Sequence, residues 1–416
     1  MNIDLLAFLV FTLPVFIFLV RFGLMAYPES SLPEGMKVKK DLTFTPSIAV
    51  IVPCYNEGSP VFDSIRSIAL SVYGGELSAY PQDDGSKDDS YEWMLKAQRD
   101  FPNVFPEQNE VNKGKTHTYI RAMNRSDSEL VMIVDSDTTV APDAIAKMAA
   151  CFADERIGVV GAPLGATNPN HSMLTAIQTY LYMFGLRLAK ISESHFQGVA
   201  VIGGYALMVR RHLLKELEPE ILKRNWFGVP VKDGEDRFVT HLSLLRGWGT
   251  YVEQGAEIRS YAMDTYSKYF GQQLRWKRSL IRTFFWVIRT LPYQVRNMKP
   301  SALLALFGSG VTVTILLIGT LFTLGTNPAA IFDPAKFVTL AFVSCIVMIV
   351  CSLKSNLKDQ YLNNPLRLLL FTAWWVVNLF YLVILSLGTL EKDSWGNREA
   401  HQKTILKGTT NDIATS

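Results

Sequence analysis

The longest hydrophobic segments of the chain lie near its two ends. Leu5–Tyr27 is apolar except for Arg21, and three further apolar runs follow near the C-terminus: Ala302–Leu324, Phe337–Leu353 and Leu368–Leu390. A helix of about 20 apolar residues crosses the hydrocarbon core of a bilayer. Buried core helices seldom follow one another with so little charge. The pattern predicts a transmembrane anchor in residues 1–30 and transmembrane helices in residues 301–391.

The first apolar segment has a competing interpretation as a cleaved signal peptide. Signal peptides begin with a basic region, whereas the chain begins with "MNID", which has neither Lys nor Arg. An uncleaved anchor is therefore favoured.

The central part of the chain alternates between strand-like and helical patterns. Ile48–Val52 and Leu130–Val134 are short apolar runs that end at polar clusters, and a helical pattern covers Val61–Val72. The segments "RIGVVGAPLG" and "GVAVIGGYALMVRR" predict further strands. This alternation predicts an α/β domain over residues 45–260, with a mostly parallel sheet and flanking helices. Ligands bind such sheets beyond the carboxyl ends of the strands.

The pattern changes again after Ser260. The segment "TYSKYFGQQLRWKRSLIRTFFWVIRTLPY" mixes aromatic and basic residues at helical spacing. Because this mixture directly precedes an apolar run, residues 261–300 are predicted to form interfacial helices on a membrane. Residues 392–416 form a polar C-terminal tail.

Charge adds an orientation to this picture. Lys and Arg number 41 against 38 Asp and Glu, a net charge of +3, which argues against a nucleic-acid binder. Basic residues flank the α/β domain on both sides, so the domain is predicted to be cytoplasmic on a multi-pass protein of the cell membrane. Strict alternation of the spans would place the tail outside, although its Lys and Arg residues favour the inside. None of the four cysteines has metal-ligand spacing.

Two acidic motifs are candidates for chemistry. Asp135 and Asp137 follow the Leu130–Val134 run, and Mg²⁺ binds carboxylates together with substrate phosphates. "DGEDR" places Glu235 and Asp236 side by side, where a carboxylate could remove a proton from an attacking hydroxyl. Both motifs also have ordinary structural explanations, as an acidic strand end and as an acidic helix start.

Three other stretches remain open when taken alone. In "QQLRW", Gln272, Arg275 and Trp276 share one helix face, suited to a phosphate beside a sugar ring or to an interfacial anchor. "NKGK", residues 112–115, is a phosphate contact or a solvated loop. "AYPQDDGSKDDSY", residues 79–91, lacks the pattern of a calcium loop. Its Pro81 predicts that the preceding strand is short, at an edge or bent.

Taken in order, the motifs are more specific. "PCYNE", "DDGS", "NKGK", "DSDT", "GEDR" and "QQLRW" resemble those of processive family 2 glycosyltransferases. These include hyaluronan synthases, the rhizobial chitooligosaccharide synthase, chitin synthases and, more distantly, cellulose synthase. The resemblance runs from about Val50 to Arg398, where "SWGNR" is similar to a tail element of hyaluronan synthases.

The resemblance implies a GT-A fold and a role for each motif. The uridine would be held by Tyr55, Glu57, Asp83 and Asp84, with Lys113 nearby. The diphosphate would be bound by Asp135 and Asp137 through Mg²⁺ or Mn²⁺. Asp236 would be the general base, with Glu235 beside it. Arg275 would steady the departing UDP and Trp276 would stack on the acceptor sugar, in a motif completed by Gln272 and Gln273. Trp395 and Arg398 would approach the active site from the tail.

The function implied is synthesis and export of a β-linked polysaccharide from UDP-sugar donors. The transmembrane helices would form a channel in the membrane lipid for the growing acceptor. Hyaluronan, made from UDP-GlcNAc and UDP-GlcA, is the expected product, and a chitin-like polymer of one sugar is the alternative. Tyr205 stands where the resemblance leads us to expect proline, in the acceptor region, which leaves the substrate open. A non-catalytic membrane subunit is disfavoured because the motif set is intact.

Overall fold

The computed structural model describes residues 29–231 and 233–297. The predicted C-terminal spans, nearly all of the predicted N-terminal anchor, and the tail residues Trp395 and Arg398 lie outside this part of the chain. Within it, no helix combines the length and the apolar character needed to cross a membrane.

The described residues form strands and helices in alternation, as the sequence pattern predicts. The strands are β1 Ile48–Cys54, β2 Leu77–Asp83, β3 Glu107–Gln108, β4 Leu130–Val134, β5 Thr138–Val140, β6 Ile157–Gly161, β7 Leu164–Ala166, β8 Ala206–Arg210, β9 Asn225–Trp226, β10 Val229–Pro230, β11 Gly249–Val252 and β12 Ile258–Ser260. The α-helices are α1 Pro60–Ala69, α2 Ser90–Asp100, α3 Lys115–Met123, α4 Ala144–Ala150, α5 Met173–Leu181, α6 Ala189–His195, α7 Arg211–Leu222, α8 Glu235–Leu245 and α9 Tyr266–Asn297. A π-helix, Tyr182–Leu188, joins α5 to α6, and Glu29–Ser31 and Cys151–Ala153 are 3₁₀ turns.

A seven-stranded sheet organises the domain, with strand order β11-β6-β8-β4-β1-β2-β3. Its strands are parallel except β8, which is antiparallel to both β4 and β6. The predicted α/β class with a mostly parallel sheet is therefore confirmed. A smaller sheet, β5-β12-β7, and the hairpin β9-β10 complete the strand pairing of the described residues.

The core lies on both faces of the main sheet because successive strand residues point to opposite sides. On β4, Leu130, Met132 and Val134 pack into one buried cluster, while Val131 and Ile133 pack into the other. Helices α1, α2 and α4 cover the first cluster, and α3, α7 and α8 cover the second. Strands buried on both faces read as continuous apolar runs, which is why these segments are recognisable in the sequence.

The antiparallel direction of β8 brings an extra loop to the carboxyl edge of the sheet. Val134, the last residue of β4, pairs with Ala206, the first residue of β8. The residues that precede β8, Gly204 and Tyr205, therefore lie beside Asp135, which follows β4. "GVAVIGGYALMVRR" forms a strand only in its second half.

Strand β1 continues beyond the point at which the sequence pattern predicts its end. The apolar run predicts a strand that ends at Val52, but β1 extends through Pro53 to Cys54. The Cys54 carbonyl accepts a hydrogen bond from the N–H of Asp84, which directly follows β2. Because successive residues of a strand direct their backbone polar groups to opposite neighbours, the backbone nitrogen of Pro53 faces β4. Pairing between β1 and β4 ends at Ile51, and the missing donor of proline therefore interrupts no ladder bond.

Strand β2 contains Pro81 and yet has seven residues. Two of the outcomes expected from the sequence, a short strand or one at the edge, do not occur, because β2 lies between β1 and β3. The Ala79 N–H donates to Asn103 on the β3 side, so the ring nitrogen of Pro81, two residues on, faces that side too. The backbone hydrogen bonds to β1 come from the residues of β2 that alternate with Pro81. The proline therefore interrupts none of the bonds to β1.

Pro81→Val is expected to leave the affinity for UDP unchanged within about twofold, because the new N–H would point toward β3 and away from β1. Isothermal titration of the full chain with UDP would measure this. Asp84→Ala is the matched control and is expected to weaken binding by about tenfold, since its carboxylate accepts charge-assisted hydrogen bonds from a neighbouring loop. A large loss with Pro81→Val would contradict the register argument.

Candidate active site

Two loops at the carboxyl edge of the sheet are joined by serine side chains. The Asn56 N–H donates to Ser86 Oγ over 2.8 Å, and the Glu57 N–H donates to Ser90 Oγ over 2.9 Å. Glu57 Oε2 in turn accepts a hydrogen bond from Ser136 Oγ at 2.8 Å. The polar residues after β1 are thereby fixed against both the loop after β2 and the turn after β4. Tyr55, at the start of this loop, is half-buried.

The two aspartates predicted to hold the uridine are buried and hydrogen-bonded to protein. Asp83 accepts bonds from the Ser86 N–H at 3.0 Å and from Gln108 Nε2 at 2.8 Å. Asp84 accepts bonds from Asn109 Nδ2 at 2.8 Å and from the N–H groups of residues 113 and 114 at 2.9 and 2.8 Å. The structure thus assigns them to shaping the loops around this edge. Direct contact with uridine remains a prediction.

The turn bound by Asp84 is "NKGK", in which the two lysines differ. The side chain of Lys113 is exposed, and only its backbone N–H reaches Asp84. Gly114 has a positive φ of 89°, a conformation suited to glycine, and the turn leads directly into α3. Lys115, the first residue of α3, is buried. The lysine that points into the protein is therefore Lys115 and not Lys113.

Lys115 forms the charged centre of the site. Its Nζ lies 2.5 Å from Asp135 Oδ1 and 3.2 Å from Glu235 Oε1. Burial alone would lower the pKa of Lys115, but the charges of Asp135 and Glu235 outweigh it and raise this pKa above its ordinary value. Lys115 is therefore an ammonium that joins the "DSD" motif to the "GEDR" motif.

Glu235 and Asp236 occupy different environments although they are adjacent. Burial raises the pKa of Glu235, but Lys115 and Arg224 outweigh it and hold this pKa below the usual range. The pKa of Asp236 is raised, first by burial and then by the charge of Glu235. Two neighbouring carboxyl groups with separated pKa values are typical of acid–base sites.

Backbone groups hold Asp236 in place while part of its surface remains open to solvent. Asp236 Oδ2 accepts a hydrogen bond from the Gly204 N–H at 3.0 Å, and Oδ1 accepts one from the Arg237 N–H at 2.7 Å. A Cβ at residue 204 would lie 2.8 Å from Lys115 Nζ. Glycine at this position therefore allows the β8 loop to approach both the lysine and the candidate base.

Asp135 and Asp137 lie in the turn between β4 and β5, not on a strand. The Thr138 N–H donates to the Asp135 carbonyl at 3.0 Å, which closes the turn. Strand geometry does not set the directions of these two side chains, because β4 ends at Val134. The Asp135 side chain is 35% exposed, so it is open to a ligand.

The donor chemistry of this turn fits a metal ion that is shared with a substrate. Among residues 29–231 and 233–297, no three His, Cys, Asp or Glu side chains are grouped as a protein-only metal site. Mg²⁺ characteristically takes one or two carboxylates and completes its shell with water and phosphate oxygens. Asp135 and Asp137 supply the two carboxylates. Asp135 is also paired with Lys115, which lies beside the same turn.

The "QQLRW" residues lie on α9, as predicted. Gln272 and Gln273 are buried, while Arg275 and Trp276 are half-buried, with Trp276 packed against the core. Gln272 hydrogen-bonds the Tyr182 hydroxyl, and Tyr182 is close enough to Asp137 for the aspartate to raise the tyrosine pKa. This contact chain connects α9 to the turn after β4. The stacking of Trp276 on a sugar remains a prediction.

Two buried polar atoms of this motif have an unused hydrogen-bonding capacity. In the described part of the chain, Gln272 Oε1 and Gln273 Nε2 have no hydrogen-bond partner. Buried amide groups are normally satisfied, so unsatisfied ones require an explanation such as a bound ligand.

Lys115 and Tyr182 were not singled out from the sequence, and Tyr205 was noted there only as standing in place of an expected proline. Lys115 belongs to the quoted "NKGK", but its burial depends on the Asp84-bound turn, which no local pattern reveals. Tyr182 begins a π-helix, and such helices are frequent at functional sites. The Tyr205 hydroxyl lies near Asp236, Tyr182 and Asp135, and burial followed by these neighbours raises its pKa. Tyr205 is thus a neutral hydroxyl between the candidate base and the "DSD" turn.

Comparison with known proteins identifies the family. The profile described as "Glycosyltransferase like family 2" matches residues 46–279, which cover the sheet, the acidic motifs and the first part of α9. This match spans more than half of the chain, and the protein belongs to this family.

Curated relatives extend the similarity to most of the chain. An N-acetylglucosaminyltransferase from Rhizobium meliloti (strain 1021) is 31% identical over 372 residues, covering 87% of this chain and 84% of the relative. An N-acetylglucosaminyltransferase from Azorhizobium caulinodans is 29% identical over 378 residues, covering 89% and 92%.

A solved structure supports the fold. A mannosyltransferase from Pyrobaculum calidifontis, in complex with GDP-Man and Mn²⁺, aligns with a TM-score of 0.56 at 18% identity, covering 89% of this chain and 99% of that one. At this identity the likeness concerns the fold alone. It confirms the GT-A-type α/β fold implied by the motifs.

Proposed function

We propose that the protein transfers N-acetylglucosamine from UDP-GlcNAc to a growing β-linked chain, as a processive, inverting glycosyltransferase of the cell membrane. One observation carries this proposal. Lys115 contacts Asp135, a candidate ligand for the donor diphosphate, and Glu235, the neighbour of the candidate base Asp236. Donor activation and acceptor activation would thus occur within one connected cluster.

On the donor side, the nucleotide would lie along the carboxyl ends of β1, β2 and β4, where ligands bind open α/β sheets. The loops fixed by Ser86, Ser90 and Asp84 form this edge. Asp135 and Asp137 would hold Mg²⁺ or Mn²⁺, which, when bound, offsets the charge that develops on the leaving diphosphate. Lys115 and Arg275 would add positive charge at the same place.

On the acceptor side, Asp236 would remove the proton from the attacking hydroxyl. The hydroxyl oxygen forms a bond to the anomeric carbon of GlcNAc, the bond from that carbon to the diphosphate oxygen breaks, and UDP leaves with the electron pair. One displacement with one base inverts the anomeric carbon and gives a β-linkage from an α-linked donor. The raised pKa of Asp236 makes it a stronger base than an ordinary aspartate.

The curated relatives support the single-sugar product better than hyaluronan. Those named above are N-acetylglucosaminyltransferases, and the motifs resemble the rhizobial chitooligosaccharide synthase. Tyr205, where the resemblance leads us to expect proline, adjoins the candidate base, so it is positioned to affect acceptor choice. A chitooligosaccharide-type product is therefore proposed, with hyaluronan as the second candidate.

The membrane arrangement belongs to the same proposal. The apolar runs at both ends of the chain and the basic flanks of the domain support a cytoplasmic catalytic domain. The spans would form the channel through which the product leaves, with Trp395 and Arg398 returning near the site. Export then accompanies synthesis.

The purified full chain, in nanodiscs with Mn²⁺ or Mg²⁺, is expected to form oligomers from UDP-GlcNAc alone. Radiolabelled donors, offered singly and in pairs, would measure product and UDP release, and chitinase should digest the product. Asp135→Asn is the inactive control. Product that forms only when UDP-GlcNAc and UDP-GlcA are both present, and that hyaluronidase digests, would establish hyaluronan instead. Absence of UDP release with every donor would reject the enzymatic proposal.

A further inference from the structure

The hairpin of residues 225–230 carries an exposed aromatic residue at a strained position. Val229 pairs with Trp226 across β9 and β10, and the turn residues Phe227 and Gly228 have φ values of 47° and 89°. Turns of this type normally use Asn-Gly, because positive φ is unfavourable for bulky side chains. Phe227 is nevertheless 86% exposed. Folding preference does not account for phenylalanine here, and its ring contact with Trp226 leaves most of the side chain in solvent. A contact outside the described fold better explains this residue.

Neighbouring residues extend this aromatic surface onto α9. The Trp226 ring lies 5.7 Å from that of Phe285, centroid to centroid, and 4.9 Å from that of Phe227. Phe285, Arg289, Tyr293 and Arg296 are all exposed, and their spacing places them on one face of the helix. Aromatic rings interspersed with arginines are typical of segments at the boundary between lipid headgroups and acyl chains.

The course of the chain favours a lipid surface as the occupant. Helix α9 ends at Asn297, and the apolar run Ala302–Leu324 begins a few residues later. A chain that enters a bilayer there holds the second half of α9, and the hairpin packed on it, close to the headgroups. A soluble protein partner would not require this location.

We propose that residues 225–230 form a lipid-docking hairpin that inserts Phe227 and Val229 into the headgroup region of the bilayer. Arg289 and Arg296 would bind the phosphates of the same leaflet. The hairpin and the outer face of α9 would then form one continuous membrane-contact surface.

The hairpin is also connected to the candidate base. Arg224, just before β9, donates to the Asp233 carbonyl at 3.0 Å. The Asp233 carboxylate lies 2.5 Å from Arg282 Nη1 of α9, and Asp236 follows three residues later. A docked hairpin would therefore fix the distance of Asp236 from the membrane surface. A fixed distance would allow the product to enter the bilayer directly from the site where it is made.

The test places a fluorophore at the tip of the hairpin. Phe227→Cys would be labelled with NBD in the full chain, with the native cysteines replaced, in nanodiscs of phosphatidylcholine and phosphatidylglycerol. Lipids that carry a spin label near the headgroup should quench this fluorophore at least about threefold more than one at Val72→Cys. Val72 is 70% exposed on a loop after α1 and is the matched control.

Two results would overturn the docking proposal. Equal quenching at positions 227 and 72 would show that the tip lies in water. A blue-shifted fluorophore at position 227 that spin-labelled lipid does not quench would show that protein covers the tip, from another segment of this chain or another molecule. UDP release, measured in the same samples, separates this test from the proposed function: an active but unquenched sample rejects the docking alone, and a quenched but inactive one leaves it standing.

Discussion

Asp236→Asn is expected to reduce sugar transfer by about 10³-fold, because general-base catalysis contributes about 10²–10⁴-fold and an amide cannot accept the proton. Binding of UDP should be unchanged within about twofold, since Asp236 contacts the Gly204 and Arg237 N–H groups and not the loops after β1 and β2. Transfer from labelled UDP-GlcNAc and titration with UDP would measure the two effects separately.

Glu235→Gln is the matched control for the neighbouring carboxylate. It removes one partner of Lys115 but leaves the candidate base, so a loss of about tenfold is expected from one charge-assisted hydrogen bond. A thermal melt of each variant would show that the fold is retained. If Asp236→Asn kept normal transfer while Glu235→Gln abolished it, the assignment of the base would be reversed. If Asp236→Asn lost UDP binding, its role as base would be contradicted.

The sequence predicts best those elements whose residues are all buried because both faces are covered. Leu130–Val134 is both the predicted run and the observed β4, because a strand covered on both faces has no polar positions to obscure its limits. "QQLRW" lies on a long helix for a similarly local reason, namely its spacing. The family resemblance predicts the fold class because several motifs occur in one order.

The features that the sequence left unpredicted depend on contacts between distant parts of the chain. Pro53 and Pro81 look like strand breakers, and whether they break a strand depends on which neighbour their nitrogen faces. That in turn depends on the pairing of β1 with β4 and of β2 with β3. Likewise, "NKGK" has two equivalent lysines in the sequence. The Asp84 carboxylate, about thirty residues earlier, folds the turn and thereby selects Lys115 as the buried one.

Lys115→Met is expected to lower kcat/KM at neutral pH by about 100-fold. It keeps the aliphatic stem but leaves Glu235 buried without its ammonium partner, and breaking a buried ion pair costs about 3–5 kcal/mol. In the native protein the charge of Lys115 lowers the pKa of Asp236, so removing that charge should raise the apparent pKa values of the Glu235–Asp236 pair. Because the base must be deprotonated, the acidic limb of the pH profile should move to higher pH. The variant should therefore recover part of its activity as pH increases.

Lys113→Met is the matched control, because the two lysines belong to the same four-residue turn and differ mainly in direction. Its exposed side chain should tolerate the change with less than about a threefold effect on kcat/KM and no movement of the pH profile. Profiles of both variants with UDP-GlcNAc, with melting temperatures to verify folding, would measure this. If Lys113→Met were the damaging variant, the nucleotide contact implied by the family resemblance would outweigh the buried ion pair. If Lys115→Met lost activity without a shift of the acidic limb, the lysine would act on the diphosphate alone and not on the base.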